Sequence, residues 1–302
     1  MILVVGSTGY LGSAVTKKLA AAGRPVTALV RDSSSEKSRA LQAAGAKLVT
    51  GDLKDRASIE RALDGADTVI STASSTLSRR EGDSLETVDG KGVQSLIDAA
   101  EKKGVRRFIF VSFSRNITAD SPLARFKRAA EKRLESSELD YTILLPTFFA
   151  EVWLSPAVGF DAAGGQVKVY GDGKAKVSYV ALEDVANALV ACLDNPKAGR
   201  KAVPVGGSKA YSQLEAVELV ERATGRKLRR EHMTAEQIQG ARAAASDPMQ
   251  ATFLALFDAL AHGDVVPPDW TGTLGVRPSS LEDWVGRTFA PQGSGSDSSR
   301  RT

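Results

Sequence analysis

The sequence predicts an α/β fold: a doubly wound parallel sheet with a smaller, mainly helical C-terminal lobe. Three observations carry this expectation. Short apolar runs alternate with amphipathic helical patterns through most of the first 205 residues. The links between them are short and often end on glycine, which implies strand–helix–strand units and a parallel sheet. From about residue 211 the strand rhythm fades and helical stripes replace it.

Ile2 to Val5 reads as a buried strand. Leu11, Ala14, Val15 and Leu19 recur at helical spacing, and Gly23 closes that helix. Pro25 to Val30 is a second strand, residues 35–44 a helix stopped at Gly45, and Lys47 to Thr50 a third strand. A helix over about 56–64 ends at Gly65, and Thr68 to Ser71 is the fourth strand. A longer helix over about 84–103 ends at Gly104, before a fifth strand at Phe108 to Val111. Ser121-Pro122 starts a helix, because serine caps free amides and proline tolerates the first turn. That helix runs to about Ser137, and Tyr141 to Leu145 is the sixth strand, stopped by Pro146.

Residues 146–180 break the rhythm with prolines, glycines and two strand-like pieces near 166–170 and 176–180. A helix over about 182–194 and a strand near 201–205 return the chain to the sheet. Beyond it lie two apolar stripes: Leu214, Val217 and Val220, then Met249, Phe253, Leu254, Phe257 and Leu260. The expected organisation is a dinucleotide-binding domain over 1–205 that includes the crossover at about 146–180. A smaller substrate lobe follows over 206–290, and a disordered tail over 291–302.

Composition excludes several function classes. The formal net charge of +4 is scattered, with no basic block beside aromatics, so nucleic acid is not an expected partner. No long apolar run argues for membrane insertion. Strand-like residues begin at Ile2, so no signal or transit peptide is expected and the default compartment is the cytoplasm. The single cysteine, Cys192, sits in an apolar periodic stretch and reads as a core residue. Neither His232 nor His262 has metal-ligand spacing with it, so no metal is expected.

The strongest motif is Gly6-Ser7-Thr8-Gly9-Tyr10-Leu11-Gly12, which follows a strand and opens a helix. Each glycine has its own task. Gly6 permits the tight turn, Gly9 lets a pyrophosphate approach the backbone, and Gly12 lets helix and strand pack closely. The helix N-terminus then offers amides and a favourable dipole to phosphates. The spacing is G-x-x-G-x-x-G, a variation on the usual Rossmann fingerprint. Arg31 ends the second strand, nineteen positions after Gly12, where an NAD enzyme usually carries an acid. A guanidinium there suits a 2′-phosphate, and Lys37 and Arg39 could reinforce it. NADP(H) is therefore the expected cofactor, ahead of NAD(H). Asp32 is the competing feature, because turned inward it would repel the phosphate.

With these residues the chain resembles the NmrA-like, atypical branch of the short-chain dehydrogenase/reductase superfamily. That branch includes NAD(P)H-dependent quinone reductases, isoflavone-reductase-like enzymes and NADP-sensing regulators. The markers are Gly6 to Gly12, Val30-Arg31, Gly51-Asp52-Leu53, Lys127 followed by Glu131, Tyr141 to Pro146, and Asp184-Val185-Ala186. The resemblance implies that Asp52 and Leu53 contact the adenine and that Ser71, Thr72 and Ala73 line the ribose and pyrophosphate. It also implies that Ser112 lies near the nicotinamide and that Pro146, Phe148 and Phe149 flank its amide. Read without it, Asp52 is a helix-capping carboxylate, Ser71 and Thr72 a polar strand end, and Phe148, Phe149 and Trp153 ordinary core.

One departure matters. Typical members of the superfamily carry Tyr-x-x-x-Lys, where the tyrosine supplies the proton for carbonyl reduction. Here Lys127 matches the lysine, but Leu123 stands in the tyrosine's place. In atypical members the resemblance gives the chemistry to the lysine, so Lys127, with Ser112, is the catalytic candidate. Ser114, Tyr179 and Glu151 are substitute donors. The competing reading makes Lys127 a surface partner of Glu131, one helical turn away. Two functions stay open. One is NADPH-dependent hydride transfer to a quinone or other conjugated carbonyl small molecule, in a chain that could act as a homodimer. The other is a non-catalytic NADP(H)-binding redox sensor or regulatory protein acting through a protein partner, or a structural or assembly role in which the cofactor only stabilises the fold.

Overall fold

β1 (Ile2–Val5) is buried at all four positions, and its side chains alternate between two cores. In this computed structural model, which describes residues 1–78 and 80–290, β1 lies inside a seven-stranded sheet. The other strands of the sheet are β2 (Val26–Val30), β3 (Lys47–Thr50), β4 (Thr68–Ser71), β5 (Arg107–Val111), β6 (Asp140–Pro146) and, after the crossover, a strand at Lys201–Val205. The crossover contributes β7 (Phe160–Asp161), β8 (Gln166–Tyr170) and β9 (Lys176–Val177), so the returning strand is β10. The sheet order is β10-β6-β5-β4-β1-β2-β3, and every pairing is parallel.

Helices cover both faces. α1 (Tyr10–Ala21), α2 (Glu36–Ala43) and, later, α7 (Leu182–Ala191) bury Val15, Leu19, Leu41, Val185 and Leu189 on the Ile2–Val4 face. On the other face, α3 (Arg56–Ala62), α4 (Val93–Lys102) and α5 (Pro122–Glu135) bury Ile59, Leu96, Ile97 and Leu134. Winding reverses between β1 and β4, and the crevice beyond the carboxyl ends of such strands is where open α/β sheets bind ligands. Phe108 on β5 is fully buried in the second of these cores. Truncating it (Phe108→Ala) is expected to cost about 3–5 kcal/mol. Urea unfolding would read this as a lower midpoint at unchanged slope.

The remainder differs from expectation in three places. The predicted helix over 84–103 opens as a π-helical turn, Leu85–Gly92, before α4. Glycines allow close packing there: a Cβ on Gly90 would lie 2.8 Å from the Phe126 ring, and one on Gly92 2.9 Å from Leu53 Cβ. β6 extends one residue beyond Leu145, with Pro146 itself paired opposite Val205 as its last position. The mainly helical lobe holds α8 (Gln213–Thr224), α9 (Ala235–Ala244), α10 (Pro248–His262), α11 (Trp270–Leu274) and α12 (Leu281–Phe289). It also carries β11 (Tyr211–Ser212) and β12 (Arg229–Met233). β11 pairs with β9, and β12 runs parallel to β8. The crossover therefore shares sheets and a third core with the chain beyond 206. β12 is an exposed edge strand of Arg-Arg-Glu-His-Met, so it has no apolar alternation to announce it. α6 (Ala150–Trp153) is a single turn after β6. The tail predicted over 291–302 lies outside the described residues. Among those described, no helix is long and apolar enough to cross a membrane. Cys192 is fully buried, and burial pushes its thiol up to about 12.

Candidate functional site

The turn between β1 and α1 is built for close approach. Gly6 has φ +82°, and a Cβ there would meet Ala73 N at 2.7 Å and Thr72 Oγ1 at 2.8 Å. A Cβ on Gly12 would lie 2.2 Å from Gly6 O. Gly9 caps α1 without any side chain, and the first turn of α1 carries no acidic residue. The amides of Tyr10, Leu11 and Gly12 thus open onto exposed Gly9 and Tyr10, uncapped by carboxylate or hydroxyl. Thr8 is half-buried beside them. Ser7 is turned inward, its hydroxyl donating to Leu29 O at 2.6 Å, so it anchors the loop to β2.

At the far end of β2, Arg31 donates to Asp83 at 2.5 Å. Lys54, a cation the sequence reading missed, reaches the other oxygen of Asp83 at 2.5 Å. Asp32 does not oppose this cluster: its carboxylate accepts the Ser34 amide and hydroxyl at 2.8 and 2.6 Å. Lys37 stands 6.0 Å over the exposed Tyr10 ring, on the same rim, while Arg39 is exposed on α2. Asp52 does not cap α3; Asp55 does, and Asp52 accepts the Lys54 amide at 2.9 Å instead. Leu53 is buried against the π-helical turn at Gly92. A pocket of about 290 Å³ opens among Arg31, Gly51, Asp52, Ser58, Arg61 and Arg80.

The ends of β4 and β5 bring a third group together. Thr72 bonds back to Val5 O at 3.2 Å. Ser71 is fully buried and its hydroxyl has no partner. A buried hydroxyl left unpaired is costly unless a ligand or water uses it. Ser71→Ala is therefore expected to leave urea stability within about 0.5 kcal/mol of the parent, or above it. The same change should weaken nucleotide binding measured by calorimetric titration; a clear loss of stability would show the hydroxyl already paired.

Lys127 is buried, and its ammonium donates to Val111 O at 3.1 Å and Ala73 O at 3.4 Å. It sits 4.9 Å over the Phe110 ring. Asp89, in the π-helical turn, places Oδ1 3.8 Å from Lys127 Nζ, and that oxygen has no hydrogen-bond partner. Its other oxygen accepts the Ser75 amide and hydroxyl. Burial pushes the Lys127 ammonium below the usual lysine value, and Asp89 and Glu131 pull it partly back. The surface pair with Glu131 is corrected. α5 turns Lys127 toward the sheet, while Glu131 takes the Ser112 hydroxyl, Arg128 and Arg115. Ser112 therefore lies one residue beyond Val111, with its hydroxyl held by Glu131 rather than directed at Lys127.

The remaining candidates are held by other contacts. Pro146 O accepts the Ser114 amide, and the Ser114 hydroxyl donates to Asp264. Phe148 is buried edge-on against Trp153, ring centroids 4.7 Å apart, inside the third core. Phe149 packs against the first core and bridges to Val180. Glu151 accepts the Leu182 amide and the Trp284 indole, and burial pushes it upward. Tyr179 is buried in the third core, and burial raises its phenol well above the usual value. Leu123, where the phenol would stand, is buried too.

The cradle fits a nicotinamide dinucleotide. Uncapped amides lie at the turn, cations at one end and a buried ammonium at the other, with an orphaned hydroxyl near the middle strand ends.

Comparison with known proteins agrees with this architecture. The chain is 31% identical over 294 residues to an NAD(P)H azoreductase of Xenophilus azovorans, covering 96% of each chain. It is 31% identical over 229 residues to the photosystem II assembly factor Ycf39 of Synechocystis, covering 76% of this chain and 69% of that one. Among solved structures, an NADPH-dependent quinone oxidoreductase of Escherichia coli in complex with NADPH superimposes with a TM-score of 0.76. It is 21% identical, and the match covers 96% of this chain and all of that one. The model of the NmrA-like family matches residues 1–262, and the chain belongs to that family.

Proposed function

We propose that this chain is an NADPH-dependent oxidoreductase that reduces a quinone or another flat, conjugated carbonyl compound. The observation that carries the reading is Lys127: a buried ammonium at the adjoining ends of β4 and β5, 3.1 Å from Val111 O, on the rim of the fingerprint cradle. Reduced NADP(H), once bound, supplies the hydride. The chain's residues supply position and charge. Arg31 and Lys54 hold the adenosine end, and the α1 amides the pyrophosphate. In this reading the Lys127 ammonium would stabilise or protonate the negative charge that develops on a carbonyl oxygen. A quinone needs little more, since hydride and a single proton complete the hydroquinone, and that proton can come from Lys127 or from water. The similarity to an NAD(P)H azoreductase over 96% of each chain supports a reductase.

A second reading, cofactor binding without turnover, is favoured by Leu123 in the phenol's place and by the similarity to an assembly factor. The two separate cleanly. The protein is mixed with NADPH and a panel of benzoquinones, naphthoquinones and azo dyes, and nicotinamide absorbance is followed. Sustained turnover supports the reductase. Tight binding of NADPH and NADP⁺ with no turnover on any acceptor supports the binding protein.

A further inference from the structure

Asp83 lies in the connection from β4 to the π-helical turn, 52 residues from Arg31, and outside every motif of the fingerprint. Its side chain is 2% exposed. One oxygen accepts Arg31 at 2.5 Å and the Ser78 hydroxyl at 2.5 Å. The other accepts Lys54 at 2.5 Å. Burial pushes this carboxyl upward, but the hydrogen bonds from Lys54, Ser78 and Arg31 outweigh it and hold the group at about 2. A guanidinium, an ammonium and a hydroxyl converging on one anion are the donor set that proteins use for a phosphate monoester. The pocket beside them has Arg31 and Arg80 in its wall.

We propose that Asp83 is a built-in competitor for the 2′-phosphate of NADP(H). In the free protein it occupies the Arg31–Lys54 pair, and the phosphate must displace it. This rests on the dinucleotide reading above and deepens it. A 2′-phosphate carries close to two negative charges at neutral pH against one on Asp83, so it can win the cations. The 2′-hydroxyl of NAD(H) carries none and leaves the Asp83 bridge closed. The bridge therefore narrows the preference for the phosphorylated cofactor, because only that cofactor has to open it. The cost of opening lowers the affinity for NADP(H) itself.

The test is calorimetric titration of the full chain with adenosine 2′,5′-bisphosphate and with 5′-AMP, which share every group except the 2′-phosphate. Asp83→Asn is expected to bind the bisphosphate about tenfold tighter, as for one charge-assisted contact no longer contested, with 5′-AMP unchanged. Ser78→Ala, which removes one donor from Asp83, serves if the first variant folds poorly and should move the bisphosphate the same way by about threefold. Bisphosphate affinity that is unchanged or weaker in both variants overturns the proposal, as does an equal gain for 5′-AMP. If the parent protein binds neither nucleotide, the dinucleotide reading falls and takes this proposal with it. If it binds both and the variants gain nothing, this proposal alone falls.

Discussion

Replacing Lys127 with methionine is expected to lower kcat for quinone reduction by about 10²–10⁴-fold, the usual worth of a positioned proton donor. Methionine keeps most of the side chain's length and apolar body, so the buried channel between α5 and the β4 and β5 ends stays filled. Arginine should not rescue the loss, because a guanidinium does not release its proton in the working range and is broader than the site. The pH profile supplies a second readout. Burial lowers the Lys127 value, so turnover that needs the ammonium should fall on the alkaline side earlier than for an ordinary lysine. Asp89 raises that value from 3.8 Å away. In Asp89→Asn the alkaline limb should therefore move to lower pH, while the acid limb stays in place. Stopped-flow rates across the pH range would show both. A methionine variant that keeps more than about a third of the turnover, with an unmoved profile, would return the chemistry to another group.

The same pair shows how far a sequence can be read. The buried strands of the sheet were legible because a strand covered on both faces is a run of apolar residues, as Ile2–Val5 is. The fingerprint was legible because its glycines answer local demands: a positive φ at Gly6 and a backbone contact at Gly12. Lys127 stood out by motif alone. Asp89 did not, because nothing in its spacing distinguishes a buried carboxylate from the polar face of a helix. Its role appears only when the π-helical turn brings it to a lysine 38 residues later. Asp83 and Lys54 were hidden for the same reason, since their partners lie 52 and 29 residues away in unrelated segments. Phe148 and Trp153 mark the opposite limit. Aromatics beside a strand end look the same whether they will flank a ligand or each other, and here they meet edge-on in the core.

The second large effect concerns the cradle itself. Gly12→Ala is expected to destabilise the protein by about 3 kcal/mol and to raise the Kd for NADPH more than about 100-fold. Alanine is the better helix former by about 1 kcal/mol, so intrinsic propensity predicts the opposite sign. The added methyl, however, would sit 2.2 Å from Gly6 O, 2.7 Å from Gly6 C and 2.7 Å from Thr72 Oγ1. Two of these are backbone atoms of the turn that must receive the phosphates, so relief requires the turn to open. Gly286→Ala in α12 is the internal control, because a Cβ there meets nothing within 4 Å. That variant should gain up to about 1 kcal/mol and bind NADPH as the parent does. Both glycines are helical with an ordinary φ, so backbone preference cancels between them. A difference of several kcal/mol in urea unfolding, together with loss of binding in Gly12→Ala alone, would isolate the close approach of α1 to β1. If the two variants behave alike, that approach is not what makes the site.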